Sequence, residues 1–490
     1  TLNLTANNID NTATGEISAN TTQVNVSNTL TNRGLIDGVD TQVNANTVNN
    51  MGAGRIYGDH LSVAAVNLSN DTETVGGVTK AGTIAARDRL DLGISGTLTN
   101  REHALIYSVG DMAIGGTLDA NRQATGSAST INNKSATIEA GGSLSLAALQ
   151  INNTDEHFST RVDTLPEQTI SEYQGSGAST RYTPGSPGVR IYNDESDHLA
   201  TPEGNYESWS AYNYTRTITE TRVNHTDPGQ ILSGGAMNLT GGTLTNDKSR
   251  IIAGGTLTAT LATLNNTEVM GERTITDVGT VTSYWRNRQK GTDSTGSRSA
   301  GYNPAVVIQT LTLTPTQYLQ NTAPTGSGTQ VGVRTQAMTT DSASGVGASN
   351  ARNGAVSPTS LPTSSLYKTN PSANANYLVE TDARFTNNKQ WLGSDYMTQS
   401  LSLDPTVTQK RLGDGFYEQK LIREQVANLT GRRFLADYTS DEQEYKALMT
   451  SAITFGQKYN LRPGIALTAQ QVAQLTSDIV WLVEQTVTLP

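Results

Sequence analysis

The sequence predicts a mainly β chain: a right-handed parallel β-helix that carries β-hairpin insertions and ends in a mainly helical domain. Three observations predict it. A motif of about twenty residues recurs through the first half of the chain. Stretches of apolar–polar alternation interrupt it twice, and from about Asn376 the texture turns helical.

The repeat is plainest in Ile138-Glu-Ala-Gly-Gly-Ser-Leu144-Ser-Leu146 followed by Ile151-Asn-Asn, in Ile231 to Asn246, and in Ile251 to Asn266. Each copy has apolar residues at relative positions 0, +6, +8 and +13, a Gly-Gly corner and a closing Asn. The same frame fits Ile84, Leu90, Leu92 and Leu98, and, with a contraction, Ile106, Met112, Ile114 and Leu118. Shifted copies run through Ile17, Val24, Val26 and Leu30, then Ile56, Leu61, Val63 and Leu68. The +6/+8 pair is period-2 alternation, so both side chains point to one face of a strand. A unit this short cannot bury that face alone, whereas stacked units bury a continuous column, each rung rising roughly 4.8 Å. The inward positions then include Ile84, Leu90, Leu92, Leu98, Ile138, Leu144, Leu146, Ile231, Met237 and Leu239. The closing Asn100, Asn133, Asn153, Asn246 and Asn266 fit either a stacked amide ladder or left-handed corners that Asn tolerates, and spacing does not choose.

The elements follow in order. Residues 1–153 are rungs, 154–229 a hairpin insertion, 230–266 rungs, 267–320 a second hairpin insertion, 321–375 a Ser/Thr/Gly/Pro-rich connector, and 376–490 a helical α+β domain. In the first insertion, His157 to Leu165 leads out and Trp209 to Val223 returns, with a Pro/Gly/Tyr-rich tip between. In the second, Thr274 to Trp285 and Val306 to Leu313 alternate. Ser440-Asp-Glu-Gln443 and Thr468-Ala-Gln-Gln471 fit capping boxes, and Gly431 ends a helix carrying Leu421, Ile422, Val426 and Leu429. Residues 479–487 fit a helix or a strand equally.

Composition narrows function. Only 16% of residues are charged, against roughly 25% in ordinary globular domains. A net charge of −10 without a basic patch argues against nucleic acid as a partner. With no cysteine there is no disulfide framework, thiolate metal site or cysteine nucleophile. No apolar run is long enough to span a bilayer. Thr1 opens in mid-pattern and the chain stops after an apolar run, which reads as a segment of a longer protein. Asp194-Glu-Ser-Asp-His198 lacks a metal-binding spacing and reads as a solvated turn. Arg87-Asp88-Arg89 and Asp91 share one rung, as the carboxylates of a polysaccharide enzyme's cleft do, but no neighbouring rung repeats them, so they read as outward, solvated charges. We therefore expect no catalytic residues, no metal, no cofactor and no glycan hydrolase or lyase activity. Tyr173, Arg181, Tyr182, Tyr192 and Tyr206 in the first insertion are the candidate binding residues, because aromatic and Arg side chains make rigid contact surface. Trp209, Tyr212 and Tyr214 are expected to pack across the hairpin itself.

The rungs resemble the haemagglutinin repeats of filamentous haemagglutinin-type exoproteins of the two-partner secretion route. Asn376-Tyr-Leu-Val-Glu-Thr-Asp-Ala-Arg-Phe-Thr-Asn387, Trp391-Leu-Gly-Ser-Asp-Tyr-Met397, Gln409 to Gln419 and Leu475 to Pro490 are similar to the central region of CdiA-type contact-dependent growth inhibition effectors. The resemblance implies a surface stalk whose central region recognises an outer-membrane protein receptor on a target bacterium before a toxin is delivered. It also implies an outer-membrane transporter partner during secretion of the full-length protein, and a monomeric chain at the cell surface. Members also act as adhesins towards host cells or glycans. No secretion domain or toxin motif is recognisable in this chain.

Overall fold

The computed structural model describes residues 1–192, 198–267, 269–313, 361–372, 374–401 and 410–484. The chain divides into two compact units, one of Thr1–His157, Asp227–Thr267 and Pro315–Pro490, the other of Phe158–Thr226 and Glu268–Thr314.

The first unit is built on one 19-stranded sheet whose pairings are almost all parallel, each strand bonding to the equivalent strand of the next repeat. Register turns the sequence motif into columns. Position 0 is Ile in every paired repeat: Ile17, Ile36, Ile56, Ile84, Ile106, Ile138, Ile231 and Ile251 stand one above another. Leu61, Leu90, Met112, Leu144 and Met237 form a second column, and Val24, Val43, Val63, Leu92, Ile114, Leu146 and Leu239 a third. All ten inward positions expected from the sequence are buried in one continuous core. Full burial of each large aliphatic side chain contributes about 1.5–3 kcal/mol, which short strands could not gather singly.

Two repeat assignments change. The rung of Ile36, Val43, Ala45 and Val48 escapes the motif: the buried Thr41 takes its second inward position, as Thr22 does in the rung before, and here a small Ala45 stands in place of Val26 and the step to Val48 is one residue shorter. Leu118 is not the fourth inward residue of its rung. It lies in the short strand Thr117–Leu118, which pairs back antiparallel with Ala124–Thr125, and Ile131 takes the column between Leu98 and Ile151.

The closing Asn residues form the amide ladder. Asn11, Asn32, Asn50, Asn70, Asn100, Asn133, Asn153 and Asn246 each donate a side-chain amide hydrogen bond to the next, at 2.8–2.9 Å, the last to Asn266. The left-handed corners fall instead just beyond them, at Gly52, Glu102, His103, Ser135 and Lys248.

The helical region packs on the outward face of these rungs. Tyr367–Thr369 pairs antiparallel with Tyr377–Thr381, which pairs in parallel with Arg411–Gly413. Helices α1 (Ala383–Thr386), α2 (Asp395–Ser400), α3 (Gly415–Thr430), α4 (Asp441–Tyr459) and α5 (Ala469–Val472) follow. Asp414 caps α3 by accepting from the Tyr417 amide, and Gly431 closes it at φ 65°. Ser440 Oγ accepts from Gln443 N at the start of α4, and Thr468 and Gln471 cap each other at α5. Phe385, Phe416, Leu366 and Leu378 cover Tyr57, Ala85, Leu105 and Tyr107, the outward neighbours of the inward Ile column. Residues 479–484 are irregular apart from a bridge between Gly464 and Val483. Connector residues 321–360 lie outside the described residues, whereas Ser364 and Ser365 hydrogen-bond Thr83 on the rungs.

The second unit is a separate antiparallel sheet. Ser159–Thr164 and Gln168–Gly175 pair with the long strand Trp209–His225. That strand pairs with Val269–Asn287, which in turn pairs with Ser294–Tyr302 and Val307–Leu313. The two insertions, read from sequence as separate hairpins, thus share one sheet, and Ser294–Tyr302 is a strand the sequence pattern did not indicate.

Candidate functional site

The tip of the second unit spans residues 176–208 and holds a small sheet of Arg190–Tyr192, His198–Thr201 and Gly204–Tyr206. It is fastened locally. Tyr173 and Tyr182 exchange backbone hydrogen bonds at 2.8 and 2.9 Å. Gly175 lies beneath the Tyr206 ring, where any Cβ would come within 2.3 Å of a ring carbon. Leu199, Trp209 and Ala211 are buried, with Tyr173, Val189, Ile191 and Tyr206 packed around them.

The five sequence-derived candidates separate into three clusters. Tyr173 and Tyr206 belong to the small core around Trp209, Tyr173 meeting its ring edge-on at 5.5 Å. Arg181 stacks on Tyr212 at 3.7 Å, donates to Tyr302 Oη at 2.8 Å and reaches Glu172 at 3.4 Å. Tyr192 stacks on His198 at 4.7 Å with the Arg190 guanidinium 4.9 Å from its ring. Tyr182 is half-buried beside its bridge to Tyr173. Trp209 and Tyr214 are buried; they meet Tyr173 and Glu172 across the hairpin and also pack on Tyr284 and Tyr302 of the second insertion. Burial and the neighbouring Glu172 push the Tyr214 hydroxyl up to about 12. Tyr302, from the second insertion, was missed: it ends a run of small residues and has no local signal of pairing with Arg181.

An open groove of about 630 Å³ runs beside this core, lined by Ser176, His198, Asn205, Tyr206, Glu207 and Arg288, the last two forming an ion pair. Its polar, aromatic-flanked lining suits recognition by hydrogen bonding and stacking. Residues 193–197 of the acidic run lie outside the described residues. Among the described residues, no group of three or more His, Cys, Asp and Glu could hold a metal ion.

Asp88 is exposed, as the sequence reading has it, but Arg87 and Asp91 are not solvated. Asp91 is fully buried, bonded by Arg89 at 2.7 Å, His60 at 3.3 Å and the Ala124 amide at 2.9 Å. Burial alone would raise this carboxyl, but those donors outweigh it and hold it low. Arg87 pairs with Asp37 and Asp59 and donates to the carbonyls of Arg384 and Phe385. Further along, Glu139 meets Arg423 at 2.8 Å and Arg433 at 3.2 Å, and Asp441 pairs with both arginines. Arg87 and the Glu139–Arg423–Arg433–Asp441 cluster fasten the helical region to the rungs, whereas Asp91 is held within the rungs themselves.

No family model matches the chain, and no solved structure matches it. Among known proteins it is 27% identical over 471 residues to Toxin CdiA of Yersinia pestis, a match covering 83% of this chain and 14% of that protein. It is 42% identical over 127 residues to tRNA nuclease CdiA-2 of Burkholderia pseudomallei, covering 26% of this chain and 4% of that protein. A third relative, Toxin CdiA of Escherichia coli, is 38% identical over 102 residues. A repeat-built, mainly β chain with a separate antiparallel unit is the class of protein the fold defines. The relatives it matches are CdiA-type proteins, and it is to that type that the chain is similar. The chain spans a small fraction of the length of the relatives it matches.

Proposed function

We propose that this chain is the stalk and receptor-binding segment of a large secreted surface exoprotein, recognising an outer-membrane receptor on target bacteria for contact-dependent toxin delivery. The observation that carries this reading is the match to Toxin CdiA across most of the chain, on a stack of repeats that holds a separate aromatic-rich unit. We read the stack as a right-handed parallel β-helix, the hand that parallel crossover connections overwhelmingly take. The uniform rungs supply length; the second unit supplies Tyr, Trp and Arg side chains of the kind that dominate interface energetics. The nuclease activity in some relatives' names we assign to parts of those proteins beyond this segment, and this chain we read as non-enzymatic. Secretion through an outer-membrane transporter belongs to the full-length protein. The test is binding of the purified chain to a panel of bacteria lacking single outer-membrane proteins. Binding lost in one deletion strain and restored by complementation supports the reading; equal binding to every strain refutes it.

A further inference from the structure

The last repeat of the stack differs from those before it. Its strand Leu257–Thr267 pairs in parallel with Met237–Asp247, and among the described residues no strand bonds its other edge. The inward positions are consequently open. Leu257 is 44% and Leu264 59% exposed, whereas Met237 and Leu244, their partners in the preceding repeat, are 0% and 2% exposed. The ladder stops here as well: Asn246 donates to Asn266 Oδ1 at 2.8 Å, and the Asn266 amide meets no acceptor among the described residues.

We propose that this end is a strand-accepting surface, which takes an extended polypeptide segment of the repeat's own chemistry added in parallel. The features of the edge specify that occupant. A free strand edge offers backbone donors and acceptors at the regular spacing of a strand, which another strand matches along its whole length and the apolar tails of a lipid cannot. The apolar positions follow strand period, calling for apolar side chains over Leu257, Ala259 and Leu264. The ladder has a direction, each Nδ2 donating onward, so the open end is a donor that requires a side-chain carbonyl, as in Asn or Gln, over Asn266. The strand carries no charged residue and no proline, the usual means by which an edge repels pairing. A repeat stack left uncapped exposes its core, and among the described residues this one has no cap over a strand fitted for continuation.

The test uses a fluorescent peptide with the sequence of residues 237–247 and the full chain, read by anisotropy, with light scattering to give the chain's mass. The peptide is expected to bind saturably to a monomeric chain. Leu264→Asp in the chain should weaken binding at least about tenfold, and replacing the peptide's Asn246 equivalent by Leu about fivefold. Leu149→Asp, at another exposed position on the rungs, should leave binding unchanged. Both chain positions are solvent-exposed, and circular dichroism confirms that each variant is folded. Absence of saturable binding to the wild-type chain, or binding indifferent to Leu264→Asp, would overturn the proposal. So would self-association abolished by Leu264→Asp, which would make a second copy the occupant.

Discussion

Replacing Asn100 by Leu removes the fifth of the nine ladder side chains while nearly conserving volume. Asn100 is fully buried, accepts from Asn70 at 2.9 Å, and donates to Asn133 Oδ1 at 2.9 Å and to the carbonyls of Thr137 and Ala104 at 2.9 and 3.3 Å. A buried hydrogen bond contributes about 1 kcal/mol net, and an orphaned buried partner costs about 1–3 kcal/mol. The Ala104 contact is long and the carbonyls keep part of their strand bonding, so the expected loss is about 3–5 kcal/mol rather than the sum of all terms. The same change at the exposed Asn266, which only accepts from Asn246, should cost less than about 1 kcal/mol. Guanidinium melts followed by far-UV circular dichroism compare the two. Midpoints serve better than a two-state fit, because repeat stacks unfold in segments. If Asn100→Leu melts within about 0.5 kcal/mol of Asn266→Leu, the ladder is a bystander of strand stacking and the reasoning fails.

Three further outcomes follow from the same structure. Glu139→Ala leaves the buried Arg423 and Arg433 with Asp441 as their remaining shared carboxylate, an excess of one buried positive charge, so the helical region should lose about 3 kcal/mol and become cleavable in limited proteolysis, while Glu139→Gln loses less. Burial pushes Glu418 up to about 7 from its ordinary 4.5, against opposing hydrogen bonds from Ser394 and Tyr445. The folded state therefore holds this proton where the unfolded chain has lost it. Stability of the helical region should fall by about 2 kcal/mol as pH rises from 4.5 through 7, discounted for the side chain's partial exposure, and Glu418→Gln should flatten that slope in pH-dependent melts. Trp209→Ala removes a buried ring stacked on Tyr284 at 4.3 Å and should destabilise the antiparallel unit by about 3–5 kcal/mol, read from its tyrosine near-UV signal.

The rung core was legible because one residue type recurs at fixed spacing; every member of the Ile column but Ile36 is visible in the sequence. Where a rung combines a polar and a small inward residue with a shortened step, as at Thr41, Ala45 and Val48, or is interrupted, as between Gly115 and Ala128, apolar spacing loses the register. The Asn residues were legible as a type, but amide orientation is a property of stacked neighbours, so ladder and corner could not be separated beforehand. Pairing of Trp209–His225 with Val269–Asn287 joins segments on either side of two repeats, and alternation names a strand without naming its partner. Arg87 and Asp91 were misread as solvated because what covers or contacts them lies elsewhere: α1 and its flanks almost three hundred residues on for Arg87, and the 117–125 excursion for Asp91. Of the candidate binding residues, sequence located the aromatic-rich tip but not that Tyr173 and Tyr206 build its small core.

The central claim is that recognition resides in the antiparallel unit and the rungs serve as its stalk. Flow cytometry of labelled chain on target bacteria measures this directly, comparing wild type with a variant lacking residues 167–207. The account predicts that the variant keeps the far-UV spectrum and the melting transition of the stack while its cell binding falls to background. Undiminished binding by the folded variant would contradict the account and move recognition out of residues 167–207, to the helical region, the rungs or the remaining strands of the antiparallel unit.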